Sequence, residues 1–154
     1  MNKIIMLALG SILLVSTVAC SNDKTSSNAP DSAEKMGEVP TTKAADNAQN
    51  DAGSKVRKDQ LNSDIRAREQ RNNITGGDAI RSNSDLSSQV RSKLEANIPN
   101  GNLTVAAKDG AVVVSGTVQV QDQLNKIEPL AKQIKGVSSV KVAAKVAPAV
   151  MEKK

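Results

Sequence analysis

The stretch Leu103–Val118, LTVAAKDGAVVVSGTV, constrains the fold of this chain more than any other. Leu103, Val105 and Ala107 alternate with Thr104, Ala106 and Lys108, the period of two that turns one side of a strand to a core and the other to water. Asp109-Gly110 follows. An Asp-Gly pair between apolar alternations predicts a tight hairpin, because a type I′ turn needs positive φ at both central positions. Val112-Val113-Val114 through Val118 form the return strand, whose β-branched side chains suit a pleated surface. Gly116 inside it predicts a bulge or a close backbone approach.

The flanking segments supply what a two-stranded hairpin lacks. Ser84 is placed as an N-cap, with Asp85 in the first turn where the helix dipole favours negative charge. Leu86, Val90 and Leu94 then recur every four residues as one apolar stripe, and Ile98-Pro99-Asn100-Gly101 ends the helix. Beyond the hairpin, Leu124, Ile127, Ala131 and Ile134 mark a second helical face over 121–135, with Gly136 suited to the C′ position. Pro129 falls inside that segment, so the helix either kinks there or restarts with Pro129 near its first turn. Val140, Val142, Ala144 and Val146 alternate as a third strand, which Pro148 ends. The expected fold class is α+β: a two-layer αββαβ domain in which two helices cover one side of a three-stranded mixed sheet.

The distribution of branched aliphatics places this domain at 85–147. That stretch holds nineteen Leu, Ile and Val residues, against six over 21–84. The earlier segment has too little apolar surface to offset the entropy of ordering. Residues 20–53, with net charge −3 over 21–53 and two prolines, read as a flexible tether. Residues 54–84 read as a basic linker, able to form a helix over Lys58–Arg71 but with only Val56, Leu61 and Ile65 as a sparse stripe. Residues 148–154 are a tail.

The N-terminus reads as an export signal. Lys3 supplies a positive start, Ile4–Val15 an apolar run of twelve residues, and small residues lead to Ala19. The apolar run is shorter than the ~20 residues needed to span a bilayer. Thr17-Val18-Ala19-Cys20 resembles a bacterial lipobox, with Thr17 departing from the leucine usual at its first position. The resemblance implies cleavage between Ala19 and Cys20 and acylation, including palmitate, at Cys20. An unacylated thiol there would be exposed and oxidisable. By the same resemblance, Ser21 directs the product to the periplasmic face of the outer membrane, with the inner membrane as the alternative.

Lys108-Asp109-Gly110, Val112-Val113-Val114-Ser115-Gly116-Thr117-Val118 and Gly136-Val137-Ser138-Ser139-Val140, set at this spacing in an αββαβ unit, resemble the BON domain of bacterial osmotically inducible and nodulation-related proteins. The resemblance covers Asp85 to about Val146. It implies an envelope protein linked to osmotic or membrane stress, with phospholipid as a ligand and no catalytic residues. Many members carry two copies, and 21–84 contains no second one.

Composition narrows the chemistry. The 154 residues include no His, Trp, Tyr or Phe and one Cys, which removes histidine acid–base catalysis, Cys/His metal sites and aromatic stacking of nucleobases. No cofactor, metal site, catalytic residue or nucleic-acid partner is expected. The candidate contacts are cationic: Lys126, Lys132, Lys135, Lys141 and Lys145 contribute to a net charge of +3 over 85–147. A lysine near an anionic bilayer contributes about 1 kcal/mol, screened within a Debye length. The expected function is a non-enzymatic, lipid-anchored envelope protein that binds phospholipid, the alternative being a protein-interaction module of the envelope.

Overall fold

A computed structural model of the chain describes residues 21–35, 39, 41–74 and 81–148. The predicted hairpin forms as β2 (Asn102–Lys108) and β3 (Ala111–Val118), antiparallel, with Val105 opposite Val114. Asp109 and Gly110 have φ of +49° and +83°, the pair of positive values that a type I′ turn demands. Gly116 lies opposite Leu103, and a Cβ there would stand 2.0 Å from the Asn102 carbonyl oxygen. The close approach is to the neighbouring strand itself.

Two helices cover one side of this hairpin. One runs over Asn83–Asn97 and buries Leu86, Val90 and Leu94. It is capped two residues earlier than Ser84: the Ser82 hydroxyl accepts from the Asp85 amide at 3.1 Å. Asn83 instead ties the helix to the hairpin, its side-chain oxygen accepting from the Asp109 amide at 2.8 Å. The second covering helix, Gln121–Lys132, runs through Pro129 without restarting. Pro129 and Asn125, whose carbonyl would have bonded a residue-129 amide, are both exposed, so the missing bond falls on the solvent side of the helix and not in the core. The helix ends at Lys132, short of Lys135, and Gly136 falls in the turn beyond its cap.

The expected third strand is present in two pieces, β4 (Ser139–Val142) and β5 (Lys145–Val146), both parallel to β3. The sheet is therefore mixed, as the helical crossover from β3 requires. Side chains from both covering helices and the inner side of the sheet close one aliphatic core, including Leu94, Leu103, Val105, Val114, Val118, Ile127 and Ala131. Each buried Leu, Ile or Val among them contributes about 1.5–3 kcal/mol by leaving water.

The segment expected as a tether is where structure and expectation differ. Ser21–Lys24 forms β1, antiparallel to β2 with Ser21 opposite Ala107, so the sheet has order β1-β2-β3-β4 rather than three strands. The physical reason is that β2 offers an open edge, and edge pairing uses backbone amides and carbonyls that no side-chain pattern announces. Two further helices precede the domain, α1 (Thr42–Gly53) and α2 (Lys55–Ile74); the covering helices are accordingly α3 and α4. Thr41 caps α1, its hydroxyl accepting from the Ala44 amide at 3.3 Å, and the Ser54 hydroxyl accepts from the Arg57 amide at 3.1 Å at the start of α2. The basic linker is helical for 20 residues because it packs on α3. Leu61 is 1% exposed, and ion pairs join Arg57 to Glu95 at 2.8 Å and Arg68 to Asp85 at 2.7 Å.

Candidate interaction surface

The strand register assigns every sheet residue to a side. Val112 and Val114 face the helices, so their partners Val140 and Val142 do too; Lys141 and Lys145, opposite Val113 and Thr117, face the other way. This outer side also carries Thr104, Ala106, Lys108, Ala111 and Ser115. Lys126 and Lys132 lie on α4, across the sheet from Lys141 and Lys145, and Lys135 lies just past the α4 C-terminus. All five predicted lysines are exposed. Lys132 is paired with Glu128 at 2.6 Å.

The five lysines therefore do not form one patch. An α-helix with its side chains is about 10–12 Å across, comparable to the ~10 Å Debye length at 0.1 M salt. A flat anionic surface lying along one layer meets Lys126 and Lys132 of α4 or Lys141 and Lys145 of the sheet, not both pairs. Lys108 was missed among the candidates, although its alternation with Thr104 and Ala106 was visible and puts it on the side of Lys141. Ala19 and Cys20 lie outside the described residues.

The outer side of the sheet is partly roofed by the chain that follows β1. Thr25 clamps the far end of β2: its amide donates to the Leu103 carbonyl at 2.8 Å, and its hydroxyl accepts from the Leu103 amide at 2.9 Å. Ser26 donates to Asn102 Oδ1 at 2.5 Å, and the buried Thr104 hydroxyl donates to the Pro30 carbonyl. Between this roof and the sheet lies a cavity of about 460 Å³, lined by Ala33, Ala106, Ala111 and Val113 with Glu34 and Lys108. Lys24 hydrogen-bonds Asp31 at 2.9 Å and thereby holds its carboxyl below the usual range.

On the opposite layer, Glu95 of α3 is almost fully buried between Arg57 and Arg91, at 2.8 and 2.7 Å. Arg81, 5% exposed, donates to Gln89 at 3.1 Å. Among the described residues no group of His, Cys, Asp or Glu could hold a metal ion, and no helix is long and apolar enough to cross a membrane.

These features define an αββαβ domain with a mixed sheet and a cationic outer side, preceded by its own edge strand and two helices. Residues 82–148 match the family model of the BON domain, and this part of the chain is a BON domain. The chain is also 41% identical over 56 residues to the osmotically-inducible protein Y of Escherichia coli (strain K12), covering 35% of this chain and 28% of that protein. It thus spans less than a third of the relative's length. No solved structure matches. The family match begins at residue 82, so β1, α1 and α2 lie outside it.

Proposed function

We propose that this chain is a non-enzymatic, lipid-anchored protein of the bacterial cell envelope whose BON domain engages a phospholipid surface, in the service of envelope integrity or osmotic stress. The observation that carries the reading is one of sequence: an export signal that ends in the lipobox-like Thr17–Cys20, in a chain carrying a BON domain. The similarity to a protein named for osmotic induction supports the physiological setting. The absence of histidine and of a catalytic motif from the chain supports a binding role.

Acylation supplies the durable part of the attachment, at about 0.8 kcal/mol per buried CH₂. The lysines add a weaker, salt-screened term. In cells, Cys20→Ser is expected to leave the protein unacylated and detached from membrane fractions. Retention of that variant with its signal uncleaved identifies a spanning anchor instead, and mass spectrometry of the N-terminal peptide separates the two.

A second reading, a protein-interaction module without lipid binding, is favoured by the cavity beneath Ala33, because an alanine- and valine-lined recess with one cation and one anion suits an amphipathic side chain. Strand addition suits it less. The β4–β5 edge is interrupted at Ala143-Ala144 and carries Lys141 and Lys145, features that oppose edge pairing. Salt separates the readings, since lysine–lipid contacts fade as ionic strength rises and an apolar protein contact persists.

A further inference from the structure

We infer that the hairpin end of the sheet is a membrane-apposed surface, and that the acylated N-terminus holds the BON domain directly against the bilayer. The inference rests on the lipid-anchor reading and goes beyond it by saying which end of the domain meets lipid. Cys20 is bonded to Ser21, and consecutive Cα atoms lie about 3.8 Å apart. Ser21 is the first residue of β1 and sits opposite Ala107, one residue before the Lys108–Gly110 end of β2. No slack therefore separates the acylated residue from the folded sheet. A flexible chain of the 33 residues up to Gly53 would instead have let the domain wander about 30 Å from its anchor.

The same end of the domain has the composition to lie on anionic head groups. β4 starts there, with Ser139 opposite Ala111, and the turn before it is bonded to the hairpin through the Ser138 amide and the Gly110 carbonyl at 2.8 Å. Lys108, Lys135 and Lys141 therefore gather at this end, all exposed, with Asp109 of the turn and Glu34 of the roof as the acids beside them. Lys145, opposite Thr117, lies toward the other end, roughly 20 Å from Ala111 and about 13 Å beyond Lys141 at strand rise, and α4 starts past that end. The chain leaves the sheet at that far end through Val146. The register of β1 thus separates three of the candidate lysines: Lys135 and Lys141 lie toward lipid, and Lys145 lies further from it.

The test uses the full acylated chain, purified from membranes and reconstituted in vesicles containing anionic phospholipid. Acylation blocks the thiol of Cys20, so Ser139→Cys and Gln121→Cys each present one labelling site, at the near and far ends. Fluorescence of each label is quenched with lipids carrying a head-group spin label. Apposition predicts quenching at residue 139 at least threefold stronger than at 121. It also predicts that ten Gly/Ser residues inserted between Cys20 and Ser21 abolish the difference. Equal quenching at the two positions, with the acyl mass confirmed, overturns apposition and leaves the anchor standing. Absence of the acyl mass overturns both.

Discussion

Gly116 and Gly110 both have positive φ, yet substituting them should have very different consequences. In Gly116→Ala the new Cβ meets the Asn102 carbonyl oxygen at 2.0 Å and the Leu103 Cα at 3.2 Å, on a backbone with φ of +118°. Neither atom is the end of a side chain that can rotate away; both belong to the β2 backbone paired with β3. The conformational strain alone costs about 1–3 kcal/mol. Moving the strands apart weakens neighbouring ladder bonds at about 1 kcal/mol each. A total of about 3–5 kcal/mol follows, a large share of the ~5–15 kcal/mol that stabilises a typical domain. In Gly110→Ala the new Cβ meets Ser138 Oγ at 2.9 Å, a rotatable hydroxyl, and the Gly136 carbonyl oxygen at 3.1 Å, a contact that a shift of a few tenths of an ångström relieves, on a turn at φ +83°. That substitution should cost about 1–2 kcal/mol. Urea unfolding of the soluble chain from Ser21, with circular dichroism as the readout, measures both. Gly116→Ala should lower the midpoint by at least twice as much as Gly110→Ala, and Tm by ~10 °C or more. Equal losses would refute the assignment of Gly116 to a strand-to-strand approach.

Three further expectations follow from the packing of the added elements. Thr104→Val removes the buried donor to the Pro30 carbonyl, so it should cost about 1–2 kcal/mol and make the 25–35 roof protease-sensitive before the core unfolds. Glu95→Gln unpairs Arg57 and Arg91 together and should cost about 1–3 kcal/mol, discounted because both arginines are partly in water, whereas Arg57→Met leaves Glu95 paired to Arg91 and should cost ~1 kcal/mol or less. Thermal melts of the two variants check that order, and their losses should shrink in high salt. Deleting 21–35 uncovers the β2 edge, and the shortened chain should aggregate at concentrations where the chain from Ser21 stays monodisperse by light scattering.

The αββαβ core was legible because its signals are local. Leu86, Val90 and Leu94 announced α3 by their spacing, and Asp109-Gly110 announced the turn. Ser82 was harder: a row of Ser82, Asn83, Ser84 and Asp85 offers several capping residues, and only the geometry selects one. The reading of the chain up to Gly53 as a flexible tether failed for a different reason. Ser21-Asn22-Asp23-Lys24 has no apolar period, and its place in the sheet comes from the open edge of β2, which lies some 80 residues away. α2 has few apolar residues, and it is ordered through Leu61, Arg57 and Arg68 on partners in α3. The lysines were identifiable as residues, but their division between two sides of the domain depends on strand register, which spacing in the sequence alone does not reveal.

The central claim, that the folded domain itself engages phospholipid, is tested most directly by co-sedimentation of the unacylated chain from Ser21 onward with neutral and anionic vesicles across a salt series. The account predicts binding to anionic vesicles at low ionic strength that is lost as salt rises, and no binding to neutral ones. Absence of binding to anionic vesicles at low salt would contradict it, leaving the acyl chains as the membrane contact and the cavity beneath Ala33 as the place to look for a protein partner.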